Sequence, residues 1–374
     1  MKTDVKKIAI IGASIGQREL CIKAKEMGVY TICFAWDKGA ICKELVDKFY
    51  PISILEKDLI VDICREEGVN GIVTNASDLP AEIAAYVSQQ VGLNGNSYEI
   101  IKAIEDKELC RRMTAQTIGL SHVESYLYDE QVPHFLPCII KPKLGGGKLG
   151  VSFARNTEEF NKGITYAKAI TNCPLLIEQY IEGQEVSVEC ISFHGKHYIV
   201  QITDKVSSGA PHFVELAHHQ PSLLPESIKQ KITRAAIAVL DRLKFQNGAT
   251  HTEMKISDTG GVFLIEVNPR GGGDHISNKL VELSTGYDYV KAMIEVALND
   301  FEPSVITNSA CSGIYFLCQQ TANLLPLFEN DSDDNWVIEK HYNHQPLVDS
   351  LGNYSRNGYL IYQSKHKISL NLKL

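Results

Sequence analysis

Residues 250–274, THTEMKISDTGGVFLIEVNPRGGGD, constrain the fold more than any other stretch. Two runs of alternating polarity, 252–257 and 262–267, flank Asp258-Thr259-Gly260-Gly261, and this turn chemistry predicts a β-hairpin. With Thr259 and Gly260 at the tip, the register is symmetric and Glu253 faces Glu266. Directly opposed residues have Cβ atoms roughly 4.5–5.5 Å apart, and like charges there are destabilising. Something must offset the repulsion. A side-chain period of two puts Leu264, Glu266, Asn268 and Arg270 on one face and Phe263, Ile265 and Val267 on the other. The apolar face goes to a core, and the polar face gathers two carboxylates, an amide oxygen and a guanidinium. Hard oxygen donors, few in number and with room for water and phosphate, describe a Mg²⁺ site built from Glu253, Glu266 and Asn268.

At 374 residues the chain is long enough for two or three domains with their own cores. A net charge of −8 argues against a nucleic-acid partner, whose footprint would be basic. The ten cysteines are scattered with no C-x-x-C pair, so neither a zinc site nor a disulfide framework is expected, only reduced and mostly buried thiols. The opening MKTDVKKIAIIGAS passes straight into a strand pattern without a signal-peptide apolar region. No apolar run approaches the ~20 residues of a membrane helix. These features lead us to expect a soluble, cytoplasmic protein with no membrane partner.

Residues 7–11 form a continuous apolar strand ending in Gly12-Ala13-Ser14-Ile15-Gly16, followed by a helix over 18–27 and a strand over 29–36. Further units follow: a helix over 55–67, a strand over 71–74 and a helix over 80–91. This is the opening of a doubly wound parallel α/β domain. Gly12 and Gly16 lack the three-glycine dinucleotide fingerprint, so the turn reads as part of a scaffold or substrate-binding domain. A helical stretch over 97–118 carries Lys107. Then PCIIKPKLGGGKLGVSFA gives strand, glycine loop, strand, with Lys141 near the end of the first strand. The loop Gly145-Gly146-Gly147-Lys148 allows close backbone approach to phosphate oxygens, although taken alone it reads sooner as a flexible hairpin tip with nothing bound. Leu149 after Lys148 excludes a Walker P-loop, which needs Ser or Thr there to hold Mg²⁺. After a helix over 157–170, LLIEQYIEGQEVSVE places Glu178, Gln179 and Ile181 at a strand end, with Glu185 and Glu189 on one side of the next strand.

Taken in order, these elements resemble the ATP-grasp superfamily, and the likeness covers most of the chain. The pattern is an N-terminal α/β domain, a lysine before a lid, Ile140-Lys141-Pro142 with a glycine loop, a hinge from Glu178 to Glu185, and an acidic hairpin ending Glu266-x-Asn268-x-Arg270. The resemblance implies ATP, with Lys107 and Lys141 on its phosphates and Gly145, Gly146, Gly147 and Lys148 in a mobile lid closing over them. It implies that the backbone of Gln179 and Ile181 reads adenine, with Glu178 at the hinge and Glu185 on the ribose. Glu253, Glu266 and Asn268 would hold two Mg²⁺ ions, with Mn²⁺ as an alternative, and Arg270 would meet the transferred phosphoryl group or the substrate carboxylate. The lid sequence GGGKLGV departs from the usual G-x-G-S-x-G-V, which leaves the role of Lys148 open.

Between hinge and hairpin, residues 202–225 read as a loop. There Glu215-x-x-His218-x-x-Pro221 resembles the E-x-x-H-x-x-P of the L-amino acid ligases. That likeness puts Glu215 on a substrate ammonium and a neutral His218, near its reference pKa, as proton acceptor. It also brings the backbone N–H groups of 271–274, Gly272, Gly273 and Asp274 among them, against the first substrate's carboxylate. The expected architecture is α/β with α+β: an N-terminal parallel domain over 1–96, an ATP-grasp core over 97–301 with its lid near 136–176, and a small C-terminal β-rich cap over 302–374. We read 331–334 as an exposed acidic turn and assign no chemistry to the cap. The implied activity is ligation of small-molecule carboxylate and amine substrates, with a homodimer through the N-terminal domain as the assembly common in such families. The alternatives are a purine-pathway member activating formate or bicarbonate, and a nucleotide-binding regulator without turnover.

Overall fold

The computed structural model describes residues 5–330, 335–350 and 352–372, so the expected acidic turn at 331–334 lies outside the described residues. The unbroken apolar run Lys7–Ile11 suits a strand covered on both faces. Ile8 and Ile10 enter one core while Ala9 and Ile11 enter another. Around it a parallel sheet has the order Lys48–Tyr50, Tyr30–Phe34, Lys7–Ile11, Gly71–Val73. Strand order reverses between the last two, so the chain leaving Ile11 and the chain leaving Val73 splay apart. Such switch points open a crevice at the carboxyl ends of the strands. Here the crevice is bounded by Ser14 and Gly16 on one side and Asn75, Ala76 and Ser77 on the other.

The helix expected over 97–118 is two helices, Tyr98–Glu105 and Lys107–Thr114. Asp106 causes the break. Its carboxylate accepts the Leu109 N–H at 3.0 Å and pairs with Lys143 at 2.8 Å, so it caps a new helix instead of continuing the old one. Lys107 therefore starts a helix at the edge of the central cavity.

A four-stranded antiparallel sheet follows, in the order Ser125–Leu127, Leu175–Gln179, Cys138–Pro142, Ser152–Ala154, with the helix Thr157–Ile170 against it. It has its own core of Ile140, Phe160, Ile164 and Ile177, so the glycine loop is carried on a separately packed unit. The expected lid began near 136, but the sheet also recruits Ser125–Leu127 as an edge strand.

The main sheet has eight antiparallel strands. Its order is Val262–Asn268, Gly248–Ile256, Gln184–Phe193, Lys196–Ser207, Glu215–Gln220, Cys311–Leu317, Gly358–Ser364, Val337–Tyr342. Two expectations fail here. Residues 202–225 contain the end of one strand and the whole of another, and every residue of Glu215–Gln220 is buried. The alternation of Leu216, His218 and Gln220 with other small or polar residues hides this strand from a reading by polarity. The C-terminal strands are not a separate cap either, because hydrogen bonding between Glu215–Gln220 and Cys311–Leu317 carries the same sheet through them. The back of the sheet is closed by the helix Glu226–Leu243, whose Ile232, Ala236, Val239 and Leu243 meet Val186, Val188, Met254 and Leu264.

All ten cysteines are free and eight are buried. Among the described residues no helix is long and apolar enough to cross a membrane. Because Asp106 is both cap and ion-pair partner, Asp106→Ala should lower unfolding free energy by about 1 kcal/mol, with Asp106→Ser retaining most of it. Urea titration checks this, and an Ala variant as stable as the parent would mean that something other than the cap breaks the helix.

Candidate active site

The hairpin Gly248–Ile256 and Val262–Asn268 pairs Glu253 with Glu266 and His251 with Asn268. Closer to the tip the register shifts by one, Met254 facing Leu264, so Ile265 is the extra residue of a β-bulge. The bulge corrects the expected division of faces. Val262 and Leu264 lie in the core with Val267, whereas Ile265, Glu266, Asn268 and Arg270 line a cavity. One extra residue inverts the side-chain parity, and this is what lets Leu264 and Val267 share the core. The Leu264 and Ile265 carbonyls at the bulge accept hydrogen bonds from Arg111, the Ile265 bond at 3.2 Å.

The cavity has a volume of about 680 Å³ and is bounded by the N-terminal crevice, the glycine loop, the main sheet and the C-terminal segment. Register explains why its floor is charged. Glu253 lies opposite Ser187 as well as Glu266, His251 lies opposite Glu189, Lys255 opposite Glu185, and Lys205 opposite His218. Each pair sits on neighbouring strands with side chains on one face, so acids and bases form rows across the sheet.

The two opposed carboxylates are held by different lysines. Lys107 Nζ lies 3.0 Å from Glu266 Oε1, and Lys205 Nζ lies 2.6 Å from Glu253 Oε1. The expectation that a divalent cation alone must reconcile them is therefore corrected: ammonium groups do so within the protein itself. Burial works against the charge on Glu253, but Lys205, then Lys148 and His251, hold its carboxyl well below the usual range. The all-oxygen set of Glu253, Glu266 and Asn268, on adjacent strands and facing one cavity, still fits a hard divalent ion. Asn268 Oδ1 also accepts from Arg270 Nη2 at 3.2 Å, and Arg270 Nε donates to Asp78 Oδ1 at 2.8 Å.

At the other expected positions the structure brings most residues together and redirects several. Lys141 and Arg111 clamp the buried Glu178 at 2.5 and 2.7 Å. Burial opposes the charge of Glu178, and these two cations more than offset it. The Gln179 N–H is given to the Glu124 carbonyl at 2.8 Å, and the Ile181 carbonyl accepts from Lys255 Nζ at 3.0 Å. Those two backbone groups are committed, which leaves the Gln179 carbonyl and the Ile181 N–H. Lys255 also lies 4.7 Å over the Tyr180 ring, which stacks with Phe213. Glu185 accepts from Lys148 at 3.3 Å, and Gly145 accepts from Lys107 through its carbonyl, so the glycine loop lies over the cavity.

Glu215 and His218 do converge, and Asp274 joins them. His218 Nε2 lies 3.3 Å from Glu215 Oε2 and 3.5 Å from Asp274 Oδ2. Burial would lower the imidazole pKa, yet hydrogen bonding to Asp274 and Glu215 raises it above the ordinary value. The shift is away from the near-reference imidazole expected from the sequence. The Asp274 side chain is oriented by Arg356, which donates to both of its oxygens, one at 2.9 Å. Gly272 is a packing necessity, since a Cβ there would sit 2.7 Å from His251 Nδ1, whereas at Gly273 a Cβ would meet nothing within 4 Å.

Sequence reasoning missed Asp78, Arg111, Glu189, Lys205, His251, Asn353 and Arg356. Asn353 donates to Glu215 Oε2 at 3.2 Å, so the C-terminal segment, to which no chemistry was assigned, buttresses the site. His251 bridges Glu189 at 2.8 Å and Glu253 at 3.3 Å; burial pulls it down, but these carboxylates push it up to about 9. The parity of His251 with Glu253 was a readable signal. Arg356 and Asp78 lie too far along the chain for any periodic pattern to reveal.

The comparisons with known proteins agree with this geometry. Residues 134–279 match the family described as ATP-grasp domain. Alanine–anticapsin ligase of Bacillus amyloliquefaciens is 27% identical over 308 residues, which cover 71% of this chain and 64% of that protein. The chain thus matches somewhat less than two thirds of that relative's length. Among solved structures, L-amino acid ligase from Bacillus licheniformis superposes with a TM-score of 0.80 at 19% identity, over 96% of this chain and 94% of the other. Phosphoribosylglycinamide synthetase from Anaerococcus prevotii gives 0.75 at 19% identity, over 97% and 95%.

Glu105 lies behind the Arg270–Asp78 pair with Oε1 buried and unpartnered. Burial first, then Asp78 and Glu82, push its pKa up from 4.5 to about 8. The folded protein thus keeps a proton that the unfolded chain loses, and this stability is full below the ordinary value and drains away as pH rises to about 8. Glu105→Gln, which cannot ionise, should therefore gain thermal stability over the parent between about pH 5 and about pH 8. A melting-temperature difference that stays flat across that window would contradict the buried-acid assignment.

Proposed function

We propose that the chain, whose residues 134–279 match the ATP-grasp domain family and whose fold is that of L-amino acid ligase, is an ATP-dependent carboxylate–amine ligase of the ATP-grasp superfamily. It forms an amide or peptide bond through an acyl phosphate and releases ADP and phosphate. The observation that carries this reading is the adjacency, in one cavity, of a phosphate end and an amine end. Lys107, Lys148 and Arg270 supply cations beside the oxygen set of Glu253, Glu266 and Asn268, while Glu215 and Asp274 converge on His218 nearby.

In this reading the adenine lies between Ile139, Tyr180 and Phe213, and its edge meets the Gln179 carbonyl and the Ile181 N–H, the groups left by the bonds to Glu124 and Lys255. Glu185 exchanges Lys148 for the ribose hydroxyls. Magnesium ions, two by analogy with the family and with Mn²⁺ as an alternative, neutralise charge on the phosphoryl oxygens when held at Glu253, Glu266 and Asn268. Arg270, oriented by Asp78, and Lys107 do the same from the protein side. A carboxylate oxygen of the first substrate attacks the γ-phosphorus and the bond to ADP breaks. His218 takes one proton from the ammonium, the freed amine nitrogen attacks the acyl carbon, the bond to phosphate breaks, and the nitrogen's second proton leaves with the phosphate.

Glu215 and Asp274 hold the incoming ammonium. Because that ammonium competes for the carboxylates that raise the His218 pKa, its arrival lowers that pKa again and favours release of the accepted proton. The lid keeps water from the acyl phosphate. We place this chemistry in the cytoplasm, in a homodimer built through the N-terminal domain. The purine-pathway alternative asks for a free cation in the first domain to bind a ribonucleotide phosphate. The residue best placed for that, Arg18, is paired with Glu19 at 2.5 Å.

The reading is tested by phosphate release from ATP and Mg²⁺ with all pairs of amino acids, then with aminoribonucleotides plus formate or bicarbonate. Stimulation confined to the second set would replace the proposal with its alternative, and none at all would favour a nucleotide-binding regulator. Glu266→Gln should abolish ADP formation and leave the melting temperature close to that of the parent; an active variant would contradict the metal assignment. His218→Ala should slow amide formation at least about tenfold more than acyl-phosphate formation, which hydroxylamine trapping separates. Equal loss of both steps would place His218 elsewhere in the mechanism.

A further inference from the structure

Lys205 has no part in the reaction just described, yet it carries the densest ion pairing at the site. Its Nζ lies 2.6 Å from Glu253 Oε1, 2.7 Å from Glu215 Oε1 and 3.4 Å from Glu185 Oε1, and its side chain is 2% exposed. These carboxylates come from three strands, Gly248–Ile256, Glu215–Gln220 and Gln184–Phe193, and offer oxygens within 4.8 Å of one another. Three like charges that close, with burial adding to the penalty, would separate or take up protons without an internal cation.

A second ammonium, Lys148, reaches the same three acids at 3.3, 3.8 and 3.9 Å, but it rides on the glycine loop. Any opening of the lid withdraws it. Lys205 belongs to a central strand of the main sheet, hydrogen-bonded on both sides, and cannot leave. Replacing buried ion pairs by apolar groups is often neutral for stability, so the better account of such an arrangement is geometric.

We propose that Lys205 is a positioning residue, a fixed counter-ion that sets the spacing of Glu253 and Glu215 and thereby aligns the metal end and the amine end of the cavity with each other. The inference rests on the ligase reading for what the two ends do. It does not rest on it for the placement itself. Lys205 touches no substrate; it acts through Glu253 on the divalent ion and through Glu215 on the amine.

The test uses the full chain as wild type, Lys205→Met, Lys205→Arg and the double variant Lys205→Met/Glu215→Gln, with Glu215→Gln as its reference. Calorimetry measures ADP binding with Mg²⁺ and with EDTA, and steady-state kinetics measures the amine KM. Groups that orient metal ligands are worth about 10–100-fold in metal affinity, so Lys205→Met should weaken Mg·ADP at least about tenfold while metal-free ADP moves less than about threefold. The amine KM should rise by a similar factor. Lys205→Arg keeps the charge at a different reach and should fall between, about threefold to tenfold weaker for Mg·ADP than wild type.

In the Glu215→Gln background, Lys205→Met should no longer move the amine KM yet should still weaken Mg·ADP, a separation that a merely structural role would not produce. The proposal is overturned by Mg·ADP affinity unchanged in Lys205→Met, by equal loss with and without metal, or by the same KM factor in both backgrounds. Should Lys205→Met fail to fold, an unshifted Mg·ADP affinity in Lys205→Arg overturns it equally. If wild type binds Mg·ADP but no amine stimulates phosphate release, the ligase reading fails while the calorimetric comparison still judges Lys205.

Discussion

Everything at this site depends on keeping like charges close together inside a protein. The sheet register forces Glu253 against Glu266, and the neighbouring strands add Glu185 and Glu215. In water such a group would disperse. Here Lys107, Lys148 and Lys205 approach from a helix start, a loop and a strand, and in spite of burial the cations hold the carboxyls of Glu253, Glu215 and Glu185 below their ordinary range. The arrangement is prepared for incoming cations because its own ammonium groups already occupy the positions where positive charge is favoured. In the proposed ligase reading, a divalent ion or a substrate ammonium would enter by exchanging places with one of these lysines.

Topology decides which lysine is free. The main sheet fixes Lys205, and the Asp106 cap fixes the helix that starts at Lys107. Lys148 belongs to a unit with a separate core, so its contacts to three acids act as a latch between lid and floor. The N-terminal domain supplies the opposite wall through the switch point of its parallel sheet, where Asp78 orients Arg270. The C-terminal strands extend the main sheet and bring Asn353 and Arg356 onto Glu215 and Asp274. Every one of these units thus holds a part of the site that the others cannot hold.

Two departures from the sequence expectation share one cause. The bulge at Ile265 and the strand Glu215–Gln220 both sit where local polarity misleads: a single inserted residue flips parity in the first, and buried polar side chains mask the second. In each case long-range partners make the local choice affordable. Arg111 satisfies the bulge carbonyls, while Tyr362, Thr203 and Asp274 partner His219, Gln220 and His218.

What the sequence determined by itself was whatever depends on spacing along the chain. The hairpin and its opposed carboxylates, the parallel opening domain and the glycine loop with its lysines follow from periodicity and short motifs, because strand pleating and turn chemistry act over a few residues; the Glu215/His218 pair came from a family resemblance. Tertiary structure alone decided which carboxylates raise the His218 pKa, the pairing of Arg270 with Asp78 and of Asp274 with Arg356, and the place of Lys205. Those outcomes depend on which distant side chains come within a few ångströms and on how little water remains between them, and neither quantity is written in any local stretch of sequence.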